Sequence, residues 1–237
     1  MPYRRLPNTD QARIRALKAV VAKGETSDVY NLAVSLKTLT DVRNFLVRFE
    51  AAQVFYAESY EKQIQAARKH QTNVKMARLY VSHFIQVLNL AVIRSEVRAS
   101  HKSYYGLTPE DMNVPDLSTE SALARWGKRI IDGENKRMSA GGIPIYTPTI
   151  AKVKVHYDIF MESYGQQKNL QKATNRSLEA LSSMRATADK LVLDCWNQIE
   201  KRFEDTRSNE QRLNLCRDYG VIYYYRTGEK RQAEIEQ

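Results

Sequence analysis

Two cysteines in 237 residues, Cys195 and Cys216, cannot supply a disulfide framework, and their number and spacing exclude a cysteine-rich zinc cluster. Glycine and proline are scarce, with nine and six copies, so few positions interrupt regular structure. No run of 18 apolar residues occurs, which argues against a membrane span. No apolar stretch follows the two arginines of the opening MPYRRLPNTD, so no signal peptide is expected. With reduced thiols, these absences point to the cytoplasm. Between Glu61 and Glu96 there is no acidic residue at all.

Chemical motifs are lacking too. A di-iron bundle needs Glu-x-x-His pairs on facing helices, and Glu58 and Glu61 are not followed by a histidine at ligand spacing. His70, His83, His101 and His156 are scattered. His83 lies in a largely apolar stretch and is expected to be a packing residue. Gly141-Gly142 lacks the Lys-Ser/Thr of a phosphate loop, and no G-x-S-x-G occurs. No catalytic residue, cofactor site or metal site is therefore assigned, and no enzymatic activity is expected.

What is present favours helix. Ala, Leu, Lys, Arg, Glu and Gln dominate, and all are strong helix formers. Asn8 with Gln11 resembles a capping box for a first helix that Gly24 would close. A second helix is expected from Thr26 or Ser27 to about His70, along a stripe of Leu32, Leu36, Leu39, Leu46 and Phe49. Thr72 would cap a third, with Met76, Ala77, Val81, Phe84 and Leu88 on one face, ending near Gly106. A short fourth helix would start at Ser118 or Thr119 and reach about Met138, before the Gly141-Gly142-Ile143-Pro144 loop. Thr147-Pro148 suggests the start of a long fifth helix, and a turn is expected between Ser182 and Ala188 before a sixth. Ser208 with Gln211 would open a last short helix, closed by Gly220. Val221–Tyr225 is the one strand-like run.

Two stretches look alike. AESYEKQ at 57–63 resembles MESYGQQ at 161–167, and the apolar positions from Thr72 to Leu88 line up with those from Thr187 to Phe203. The two offsets, 104 and 115, differ by 11 residues, about three helical turns. The expected fold is thus all-α: an antiparallel four-helix bundle of two duplicated helical hairpins, with short peripheral helices. A single domain over 1–237 would comprise an N-terminal arm and helix (1–24), a first hairpin (26–105), a connector with a short helix (106–146), a second hairpin (147–206) and a C-terminal extension (207–237).

The opening YRRLPNTD, the stretch WGKRIIDGENKRMSAGGIPIYTPTI at 126–150 and the paired hairpins resemble a family of uncharacterised bacterial helical proteins, over most of the chain. The resemblance implies a helical fold and carries no activity, cofactor or site residue.

Charge supplies the remaining candidates. The formal net charge is +10, and residues 1–105 hold 17 basic residues against 8 acidic. Arg68, Lys69, Lys75 and Arg78 would flank the turn of the first hairpin, a cluster able to neutralise phosphates. Arg4, Arg5, Tyr223, Tyr224 and Tyr225 fall in two terminal segments that lack an evident partner, and are candidates for partner binding. The expected function is a non-enzymatic structural or protein-interaction module, self-associating or bound to another protein. The alternative is a nucleic-acid or polyanion-binding protein that uses the basic hairpin end.

Overall fold

The computed structural model of the protein describes residues 2–225. It is mostly helical, with six α-helices and one two-stranded ribbon among those residues. In order they are β1 (Tyr3–Arg4), α1 (Asp10–Thr26), α2 (Leu36–Ile93), α3 (Glu120–Ser139), α4 (Ile150–Ser183), α5 (Arg185–Arg202), α6 (Asn209–Asp218) and β2 (Tyr223–Tyr224). Short 3-10 segments lie at Val29–Asn31 and Ala99–Tyr105.

Helix starts follow local chemistry. Thr9 caps α1 by accepting the Ala12 N–H at 3.2 Å, one residue beyond the expected Asn8. Thr119 caps α3 through the Ala122 N–H, and Ser208 caps α6 through the Gln211 N–H. The helix α1 runs through Gly24 to Thr26, because a hydrogen in place of a side chain lets Leu39 close against that turn. The second helix consequently starts at Leu36 rather than at Thr26 or Ser27.

The largest correction concerns the hairpins. No turn occurs near His70: α2 is one helix of 58 residues. Nothing at 70–72 breaks it, and the Thr72 hydroxyl bonds back to the Arg68 carbonyl inside the helix instead of capping a new one. The turn expected between Ser182 and Ala188 is likewise a single residue. Met184 separates α4 from α5 with near-helical dihedrals (φ −85°, ψ −15°), so the chain does not reverse there. The expected Thr147-Pro148 start precedes α4 by two residues and contains a cis peptide.

The chain divides into two compact units. Unit 1 is built from residues 1–59 and 174–237, and unit 2 from 60–173. In unit 1, Ile14, Leu17 and Val20 of α1, Val42 and Phe49 of α2, Val192, Trp196 and Ile199 of α5 and Tyr219 form one apolar core. β1 pairs antiparallel with β2, Tyr3 opposite Tyr224 and Arg4 opposite Tyr223, so the Val221–Tyr225 strand finds its partner at the other end of the chain.

Unit 2 buries Val81, Phe84, Ile85 and Leu88 of α2, Leu123 and Ile130 of α3, Val153 and Phe160 of α4, and Tyr105. It also buries charge. The Glu134 carboxylate and Arg137 guanidinium pair at 2.7 Å, both almost wholly enclosed. Tyr105 donates its hydroxyl to Glu134 and accepts from Arg137. The Ile145 N–H also donates to Glu134, and Arg137 donates to the Ile143 carbonyl, which ties down the glycine loop. Gly133 makes this possible: a methyl group there would meet the Tyr104 carbonyl at 2.8 Å. Lys102, also fully buried, donates to the Asp111 carbonyl.

Candidate interaction surfaces

The four basic candidates do not form one patch. They lie along the continuous α2 rather than around a hairpin tip. Lys69 and Lys62 line a groove of about 490 Å³ with Asn73, Glu162 and Gln166. Arg68 and Lys75 are exposed and do not line it. Arg78 donates to the Leu117 carbonyl at 2.9 Å and the Ser118 carbonyl at 2.8 Å, and so positions the entry to α3.

The terminal candidates largely satisfy one another. Arg4 donates to Asn197 at 2.7 Å and pairs with Glu200 at 3.4 Å. The Arg5 N–H donates to the Ile222 carbonyl. Tyr223 donates its hydroxyl to Glu200 at 2.8 Å, and burial, with its bonds to Cys216 and Glu200, raises its pKa. Tyr224 leans on Tyr3 with ring centroids 5.8 Å apart, and Tyr225 is half-buried. The case for self-association through unsatisfied ends therefore loses its ground.

The groove beside Lys69 contains a constellation that scattered histidines did not suggest. His70 is 4% exposed; its Nδ1 lies 2.9 Å from the Ser163 hydroxyl and its Nε2 3.1 Å from the Glu120 carboxylate. The order of groups is that of a nucleophile, base and orienting acid. The setting is not. Ser163 sits inside α4, its hydroxyl donates to the Phe160 carbonyl, and the backbone N–H groups around it are engaged along the helix. The arrangement joins α2, α3 and α4, and stacking of the His70 ring on Phe160 completes the joint. His83, expected to pack inside, is exposed instead. Among the described residues, no group of three or more His, Cys, Asp or Glu could hold a metal ion.

A row of exposed apolar residues of unit 2 lies elsewhere. Met76, Leu79, Leu90 and Ile93 of α2 are exposed although Met76 was assigned to the buried face, and they recur with His83 and Gln86 at spacings of three and four. Two adjoining grooves, about 440 and 420 Å³, share Tyr146 and Thr147. Ile143 and Tyr146, 75% and 71% exposed, stand at their edge. Lys152 lies 5.4 Å from the Tyr80 ring centroid in the first groove, and Arg94, paired with Glu96 at 2.7 Å, lines the second together with that carboxylate. Isolated apolar residues are normal on a surface; here Leu79, Ile143 and Tyr146 line the two adjoining grooves, while Leu90 and Ile93 lie outside them. Length alone hid this surface, because the same α2 stretch reads as a core stripe in either register.

α2 also contains an 18-residue window of mean hydropathy 1.4 that is apolar enough to cross a membrane by length and composition, 39% of it buried.

The chain matches no protein-family model. No curated protein and no solved structure matches it either.

Proposed function

We propose that this is a non-enzymatic protein-interaction module whose docking face is the outward side of α2 in unit 2, together with the 143–148 loop. One observation carries the reading: an exposed row at helical spacing, with Met76 and Leu79 at one end, Leu90 and Ile93 at the other and His83 and Gln86 between, flanked by Lys75 and Lys152 in a helical stretch with no acid from residue 62 to 95. A second helix laid along Leu79, His83, Gln86, Leu90 and Ile93 would meet side chains every three to four residues. Lys75 and Lys152 favour a partner helix with apolar residues on one face and Asp or Glu beside them, while Arg94 is already paired with Glu96 at 2.7 Å. Like charge opposes two copies of this face meeting each other.

A photo-crosslinking amino acid in place of Tyr146, in the cells that make the protein, tests this. The expected product is a cross-link to a helical protein segment with an acidic border, lost in the Leu79→Asp and Leu90→Asp variants. Cross-links to lipid, to nucleic acid or to a second copy would overturn the reading, as would a cross-link that survives both substitutions.

Of the four polyanion candidates, Lys69 lines a groove, which it shares with Lys62. An electrophoretic shift over a salt series tests the polyanion reading, since phosphate contacts weaken steeply as salt rises. The likeness of 57–63 to 161–167 supports an internal duplication of one long helical arm in place of a hairpin.

A further inference from the structure

Unit 1 carries a second uncovered surface, on a different stretch of α2. One side of this stretch buries Val42, Phe45, Leu46 and Phe49 in the core of unit 1. The other side presents Thr40, Asn44, Val47, Ala51, Val54 and Glu58, all exposed. Their spacing alternates four and three, the repeat by which one helix seats along another. Val47 is 69% exposed, Val54 53% and the adjacent Phe55 60%. A helix with apolar residues on both sides has one side left for another molecule.

The charges on this ridge say what that molecule is. Arg43 and Arg48 precede Ala51, and Glu58 follows it. A ridge with both signs does not suit a surface of single sign, and reversal sets Arg43 opposite Glu58, while Arg48 falls opposite the neutral Gln53. Arg43 and Glu58 lie equally far on either side of the midpoint between Glu50 and Ala51, and so do Val47 and Val54. We propose that unit 1 pairs with a second copy of this chain, α2 against α2 and antiparallel, across a two-fold axis beside Ala51. Val47 of each copy then faces Val54 of the other, and Arg43 faces Glu58, twice by symmetry. Ala51 is small enough for the backbones to approach at the axis. Glu50, next to the axis, is already neutralised by Lys18 of its own chain. Arg43 pairs with Glu25 at 3.1 Å, but both side chains are about half exposed, so the guanidinium remains free to be shared. A parallel arrangement would set arginine against arginine and glutamate against glutamate.

The apolar contact is small. Stable interfaces bury roughly 800 Å² on each partner, more than a few side chains supply, so the dimer is weak and forms as concentration rises. It involves none of the unit 2 docking residues, and either proposal stands if the other fails.

The test uses the full chain. Sedimentation over a concentration series is expected to show a reversible monomer–dimer equilibrium. Arg43→Glu and Glu58→Arg should each weaken it about tenfold, by loss of attraction and gain of repulsion at both symmetric contacts. The double variant should return to within about threefold of the starting affinity, because the exchanged charges again face each other. Ala51→Cys should give a covalent dimer under mild oxidation, at least about tenfold faster than Ser139→Cys, an exposed position in unit 2. Cys195 and Cys216 are buried and do not compete. A monomer throughout, up to about 1 mM, overturns the proposal. So does a double variant as weak as the single ones, or an Ala51→Cys variant that cross-links no faster than the control.

Discussion

Unit 1 encloses aromatic and aliphatic side chains and leaves its ion pairs at the rim, whereas unit 2 carries charges into its middle. Among the described residues, the buried polar ones of unit 1 are Thr38, Thr174 and Ser177, all neutral; those of unit 2 include His70, Asn89, Lys102, Glu134 and Arg137. The difference tracks what each unit must hold. Unit 2 contains a long connector and a glycine loop whose backbone groups have no ladder or helix to pair with. Lys102 donates to the Asp111 carbonyl, Asn89 to Met112, Arg78 to Leu117 and Ser118, and Arg137 to Ile143, while Glu134 accepts the Ile145 N–H. A buried backbone group costs free energy unless it is paired, and here side chains do the pairing. Apolar packing suffices where elements are regular; irregular backbone recruits charge.

Removing the centre of each unit should therefore fail in different ways. Trp196→Ala deletes a wholly buried ring from unit 1 and is expected to cost about 4 kcal/mol in denaturant unfolding, as a cavity. Arg137→Met is expected to cost about 3 kcal/mol, less from lost attraction than from the carboxylate left buried alone. The check is the double variant Glu134→Gln with Arg137→Met. It should recover more than half of that loss, and a double variant worse than Arg137→Met would break the comparison.

Acid should act on unit 2 before it acts on the unit 1 core. Burial works against the charged form of Glu134, but hydrogen bonds from Arg137, Tyr105 and the Ile145 N–H outweigh it and hold the pKa below the ordinary 4.5. A folded-state pKa below the unfolded one means that stability is fully present above about pH 4.5 and drains away as pH falls further. Unfolding followed at falling pH should show that slope in the native chain and lose most of it in the Glu134→Gln variant. The smallest effect belongs to the rim. Arg13 reaches Asp189 at 2.7 Å, yet Asp189 is half exposed, so Asp189→Asn should change stability by no more than about 0.5 kcal/mol. A larger loss there would mean that ion pairs matter as much to unit 1 as to unit 2.

Helices and caps were legible because they depend on neighbours in sequence. Thr119 and Ser208 with Gln211 cap where the pattern placed them, and the apolar stripes of Leu17, Phe49, Phe84 and Trp196 are core. Chain reversals were not legible. His70-Gln71-Thr72 reads as a turn only if two shorter helices are assumed, and no glycine or proline enforces one. Leu36 and Met76 fit the apolar period yet face outward, since a period identifies a stripe without saying which of two stripes is covered. The His70–Ser163–Glu120 joint and the β1–β2 pairing involve residues 93, 50 and more than 200 positions apart, and no local rule links them. The Glu134–Arg137 pair did have a local signal in its three-residue spacing, but such spacing usually marks a solvated helix face.

Because unit 1 takes residues from both ends of the sequence while unit 2 is a single uninterrupted stretch, the two become complete at different moments of synthesis. When residue 173 has left the ribosome, every segment of unit 2 is available to fold. The first 59 residues must still wait, with the inner face of α1 and the aromatic side of α2 uncovered, until Trp196 and its neighbours arrive. The apolar unit is thus the late one to assemble, and the span before its completion is when the nascent chain has most need of a chaperone.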